Sequence, residues 1–163
     1  MILQNLSDYI ETLCRKHQDI RHSDTECHYV NLNDDKKQTF LAENMRYPAV
    51  MFETSGFRLS GTGDDLVMLH NCRIQVLQHV ADTADYAQLE QTLSQCNEII
   101  CDIFAKMIDD KRKRHIRVLA YISFDGIEVR DIQNQSNALY GCYADFQVPA
   151  RLCVVDRLSH FIN

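Results

Sequence analysis

Prolines and glycines are scarce: two and five respectively among 163 residues. Too few to make a flexible or proline-stiffened linker, they leave one domain over residues 1–163 as the simple reading, and no repeat is visible. That length is enough for a sizeable hydrophobic core. No run approaches the roughly 18 consecutive apolar residues of a membrane helix. Met1-Ile2-Leu3-Gln4-Asn5-Leu6-Ser7-Asp8 lacks the basic and apolar stretches of a secretory signal. The expectation is a cytoplasmic chain with no membrane partner.

No C-x-x-C pair occurs among the seven cysteines, Cys14, Cys27, Cys72, Cys96, Cys101, Cys142 and Cys153. Their odd number and wide spacing argue against a disulfide framework or a zinc site. Cys72, Cys96 and Cys142 occupy apolar positions of their segments, where free cysteine acts as a small hydrophobe. Net positive charge is also missing. The chain carries −6 with a pI near 5.6, which excludes a general or sequence-specific nucleic-acid binder. Its one basic cluster, Lys111-Arg112-Lys113-Arg114-His115, ends a helical pattern and suits the negative end of a helix dipole; a local phosphate or partner contact is the other reading.

What is present is an ordinary globular composition, 45% hydrophobic and 25% charged. Ile2, Leu3, Leu6, Tyr9, Ile10, Leu13 and Cys14 recur at helical spacing and predict an amphipathic first helix over residues 2–18. Residues 19–46 are polar, with a short strand expected at Cys27–Leu32 and a turn or exposed loop at Asn33–Lys37. Tyr47–Glu53 reads as a buried strand opened by Pro48. Turn chemistry at Ser55-Gly56 and at Ser60–Asp65 flanks the short segment Phe57-Arg58-Leu59.

Over residues 66–81, Cys72, Ile74, Val76 and Val80 alternate with Asn71, Arg73, Gln75 and His79, the period of a half-buried antiparallel strand. Asp82–Asp85 can cap a helix. That helix is expected from about Tyr86 to Asp110, with Leu89, Leu93, Cys96, Ile100, Ile103, Phe104 and Met107 along one stripe, and should cover the sheet over roughly 37 Å. The last third reads as strand: Arg117–Phe124, a turn at Asp125-Gly126, a return arm with Ile127, Val129 and Ile132, another turn at Asn134–Asn137, and a strand from Leu139 closed by Pro149. Leu152–Phe161 is a short apolar tail. The fold class is α+β, a mainly antiparallel sheet under one long helix, with an N-terminal amphipathic helix.

Chemistry-bearing groups do not converge in the sequence. Asp24-Thr25-Glu26-Cys27-His28 places an acid, a thiol and an imidazole together, but neighbours on a strand point to opposite faces, so an ordinary surface strand is expected there. Ser60-Gly61-Thr62-Gly63-Asp64 lacks the lysine and spacing of a phosphate loop. His70 and His79 have no acidic partner at useful spacing. The expectation is no catalytic residue, no metal and no cofactor; a small ligand-binding domain or enzyme using Asp24, His28 or His79 is the alternative.

The order of elements, the strand Tyr47-Pro48-Ala49-Val50-Met51-Phe52-Glu53, and the last strand with its Tyr140-Gly141 step and Phe146-Gln147-Val148 resemble the tail-terminator (tail-completion) proteins of long-tailed phages and contractile injection systems. The resemblance implies a structural subunit whose partners are itself, in a hexameric ring, and the tail-tube and neck proteins. Such a ring caps the tube, stops its polymerisation and joins it to the neck; the protein is cytoplasmic during assembly and then part of the particle. Another neck or tube component of related fold is the near alternative. Candidate interface residues are Asp34 and Lys37 in the polar loop, Asp64 and Asp65 in the turn, and Leu139, Tyr143 and Asp145 on the outward side of the last strand. Tyr143 leads them, since tyrosine joins a large apolar area to a polar tip.

Overall fold

The computed structural model describes residues 2–32, 45–62, 65–82, 84–134 and 138–151. The chain runs α1 (Ile2–Lys16), β1 (Cys27–Asn31), β2 (Met45–Ser60), β3 (Val67–His79), α2 (Tyr86–Arg112), a 3₁₀ segment (Arg117–Tyr121), β4 (Val129–Asn134) and β5 (Leu139–Arg151). This is an α+β fold with one five-stranded sheet in the order β1-β2-β3-β5-β4. The sheet is mixed rather than wholly antiparallel. β1 runs parallel to β2, and the other neighbours are antiparallel. A parallel pair needs a crossover of about a dozen residues or more, and the stretch between Asn31 and Met45 provides that length.

Helix α1 forms as its spacing predicts, burying Leu6, Tyr9, Ile10, Leu13 and Cys14 on one stripe. Asp85 caps α2 by accepting the Gln88 N–H at 3.1 Å. The buried stripe of α2 is Thr92, Cys96, Ile99, Ile100, Ile103, Phe104 and Met107, with Asp110 at its end. Leu89 and Leu93, expected on that stripe, are only half-buried, because the helix rolls to present Thr92 and Ile99 instead. Both helices lie on the sheet face made by Val50, Phe52, Ile74, Val76, Cys142, Ala144, Phe146 and Val148. Phe104 stands edge-on to Phe146 and Phe124 at 5.9 and 6.2 Å between centroids.

The helices are antiparallel to each other. Tyr9 Oη donates to Asp110 Oδ2 at 2.8 Å, and near the other end His17 Nε2 lies 3.3 Å from Asp102 Oδ2. No described helix is long and apolar enough to cross a membrane.

Three expectations are corrected. Arg117–Phe124 is not a strand: Arg117–Tyr121 is 3₁₀, closed by the Leu119 and Ile122 N–H groups donating to the Ile116 and Leu119 carbonyls. Val118, Leu119 and Ile122 are buried within the helix layer, and an apolar run alone does not separate a buried strand from another buried segment. The Asp125-Gly126 turn exists, with Gly126 at φ +71°, but it joins no hairpin, and among the described strands β4 pairs with β5 alone. Val129, read as part of the return arm, is 39% exposed. Finally, β2 continues through Phe57-Arg58-Leu59 past a bulge between Thr54 and Phe57, and β5 continues through Pro149 to Arg151. Beyond Ala144, β5 has no β4 partner and pairs with β3 alone among the described strands, so Pro149 sits at an open edge of the sheet, where proline is tolerated. The tail from Leu152 lies outside the described residues.

Candidate functional site: the helix-free sheet face

Alternation along β3 and β5 sends every second side chain away from the helices. On that side the register places Arg73 opposite Asp145, Gln75 opposite Tyr143, Asn71 opposite Gln147 and His79 opposite Leu139. Arg73 grips Asp145 with two hydrogen bonds, Nε to Oδ1 at 2.7 Å and Nη2 to Oδ2 at 3.0 Å. The same guanidinium lies 4.3 Å from the Tyr143 ring centroid. On the other flank Arg130, held by Glu128 at 2.6 Å, stands opposite Tyr143 in the β4–β5 register. Gln147 donates to Asn71 at 3.0 Å.

The carboxylate beside Arg73 raises the guanidinium's pKa further. At 40% and 55% side-chain exposure, the Arg73–Asp145 pair adds little stability. Its effect is positional: the fork geometry and the cation over the ring hold Tyr143 in one orientation. Around this ladder Tyr47, Met51, Leu69, Ile132 and Leu139 are half-buried, while Ala49 and Leu77 are buried.

The bulge reverses the facing of β2 beyond Gly56. Phe57 pairs with His70 and Leu59 with Met68, so both join the helix-side face. Phe57 and Leu59 are 56% and 55% exposed. Nearby, a cavity of about 860 Å³ opens between the start of α1, the 3₁₀ segment and the ends of β3 and β5, with Ile2, Val67, Val118, Tyr121, Pro149 and Arg151 in its lining.

Of the candidate interface residues, Leu139, Tyr143 and Asp145 share the helix-free face. Asp65 is exposed and lines the cavity instead. It lies two residues before Val67, and about 26 Å of strand separates Val67 from the level of Tyr143. Asp34, Lys37 and Asp64 lie outside the described residues, as does Cys153.

The Asp24–His28 segment is not the surface strand expected. His28 is buried, and its Nδ1–H donates to the Pro48 carbonyl at 2.9 Å. Cys27 Sγ instead faces the Tyr29 carbonyl, and Asp24 binds Arg15 at 2.7 Å. Acid, thiol and imidazole therefore point three ways. His22, not singled out from the sequence, accepts the His28 N–H on Nδ1 and places Nε2 3.4 Å from Glu11. Burial and the neighbouring Arg15 hold its pKa below the ordinary value. His79 is exposed, its ring 6.1 Å from that of Tyr47. Among the described residues no group of three or more His, Cys, Asp or Glu is placed to hold a metal.

The sequence pattern could not show the cross-strand ladder, which needs the β3–β5 register. The only available signal was opposite charge at alternating positions of two strands, Arg73 and Asp145. Compared with known proteins, the chain matches no family model and no curated sequence.

Proposed function

We propose that this chain is a structural assembly subunit of the tail-terminator kind, which closes into a ring, caps a growing tail tube and joins it to the neck. The observation that carries the reading is the sheet face on which no described helix packs, centred on a Tyr143 that lies under the Arg73 guanidinium and opposite Arg130. An aromatic held beneath a paired guanidinium suits an interface anchor, because little rotamer entropy remains to be lost on docking. The exposed Phe57 and Leu59 give the same molecule a second apolar contact away from that face. A closed ring uses two different patches per copy, since a cyclic interface of more than two subunits is heterologous. The Tyr140-Gly141 step of the resemblance has a physical basis in the tight packing of Gly141 on β3.

The test adds purified protein to polymerising tail-tube subunits and measures tube length by negative-stain electron microscopy. Shortened tubes with a ring at one end are expected. Tubes that keep growing, with none of this protein at their ends, sink the reading. A ligand-binding domain is the second reading, favoured by the cavity of about 860 Å³, a size within the range of small-molecule sites.

A further inference from the structure

Two oppositely charged surfaces sit at different levels of α2. Beyond its last turn, Arg114, His115 and Arg117 follow Arg112, all exposed and without an ion pair among the described residues. Lys113 is different, bound to Asp109 at 2.6 Å. The helix dipole accounts for cations within the last turn only, so it explains Arg112 and leaves the other three. Arg114 also stands at φ +55°, at the helix terminus where glycine is the usual residue. The chain thus keeps a cation at a position where a neutral glycine fits the backbone better.

Toward the other end, Glu90, Leu93, Ser94, Asn97, Glu98 and Cys101 line one shallow groove on the outer side of the helix. Neither glutamate has an ion pair among the described residues, and the Asn97 Oδ1 is buried without a hydrogen-bond partner. The groove offers acceptors and no cation; the cap offers donors and no free acid. Between Glu98 or Glu90 and Arg112 lie 14 to 22 residues of helix, or roughly 21–33 Å, so the two surfaces cannot meet within one molecule.

We infer that they meet between copies: the cationic cap after α2 of one chain docks on the Glu90–Glu98 groove of the next. Charge complementarity selects a second copy as the occupant. The contact is head-to-tail, the heterologous kind that a ring requires. This rests on the ring reading above and specifies which surfaces make the ring.

The experiment is sedimentation velocity of the full chain at about 50 mM and about 500 mM salt, since exposed charge pairs weaken with screening. Arg112→Glu with Arg114→Glu, and separately Glu90→Lys with Glu98→Lys, should each weaken self-association by about tenfold or more. Mixed in equal amounts, the two reversed chains should restore it, because the reversed cap now fits the reversed groove. Arg114→Gly should weaken association while leaving the melting temperature unchanged or higher, which separates the contact from folding. An oligomer indifferent to both reversals, or reversals that abolish assembly with no recovery on mixing, overturns this contact and leaves the ring reading standing. A wild-type chain that remains monomeric at high concentration and in the presence of tubes overturns both.

Discussion

A Cβ built on Gly141 would lie 1.9 Å from the Val76 carbonyl oxygen and 2.9 Å from its carbon. Both are backbone atoms of the neighbouring strand, so no side-chain rotation relieves the clash, and β5 must shift. Gly141→Ala is expected to lower stability by about 1–3 kcal/mol, the usual cost of an overpacked site, read from chemical denaturation. Phe104→Ala should cost roughly 3–5 kcal/mol, because the ring fills the space between Phe146 and Phe124; a loss below about 1 kcal/mol would place the residue at the surface. The thiols give a chemical version of the same burial map. Burial pushes Cys14, Cys72 and Cys142 up to about 12 and Cys96 up to about 11, while Cys101 is exposed. Alkylation of the native protein near pH 8, with peptide mapping, should therefore label Cys101 first and the four buried thiols only on unfolding. After unfolding without reductant, all seven cysteines of the sequence should be alkylated.

At the scale of elements, the two helices are tied by a polar contact inside an apolar layer. Asp110 is buried; it accepts from Tyr9 at 2.8 Å and from Lys106 at 2.5 Å. The Lys106 hydrogen bond first, and the Tyr9 bond with it, hold the Asp110 pKa below the ordinary carboxylate value. Burial, then Asp110, push the Tyr9 phenol upward, so it remains a donor. A depressed carboxylate pKa contributes stability that is present above the unfolded-state value and lost as pH falls through the folded-state value. Asp110→Asn should thus cost about 1–2 kcal/mol near neutral pH, and its deficit relative to wild type should shrink below about pH 4. A deficit that stays constant into acid would mean that the charge of Asp110 contributes nothing. Tyr9→Phe should show coupling with Asp110→Asn in a double-mutant cycle, since the first removes the bond that the second reduces from charge-assisted to neutral.

For the whole molecule, the sheet face on which no described helix packs and the exposed end of β2 set the scale of any assembly. Tyr143→Ala removes the anchor without touching the helix-side core, so it should leave the melting temperature within a few degrees of wild type and reduce incorporation at tube ends, scored by electron microscopy. Loss of stability without loss of incorporation would assign Tyr143 to packing alone.

Sequence alone determined whatever depends on period and local chemistry. The amphipathic stripe of α1, the Asp85 cap and length of α2, the alternation of β3 and β5, and three of the buried thiols follow from side chains within a few residues of one another. Tyr143 and Asp145 were legible as outward residues for the same reason. Tertiary structure decided what depends on partners distant in the chain. The parallel pairing of β1 with β2 needs both strands in place. The 3₁₀ form of Arg117–Tyr121 arises because its apolar side chains are taken up between the helices and the sheet rather than by a strand partner. His28 is buried because the Pro48 carbonyl meets its ring. The fixing of Tyr143 by Arg73, and the separation of unpaired cations from unpaired acids along α2, exist only once register and helix docking are set, because a charge is paired or free according to what the fold brings beside it.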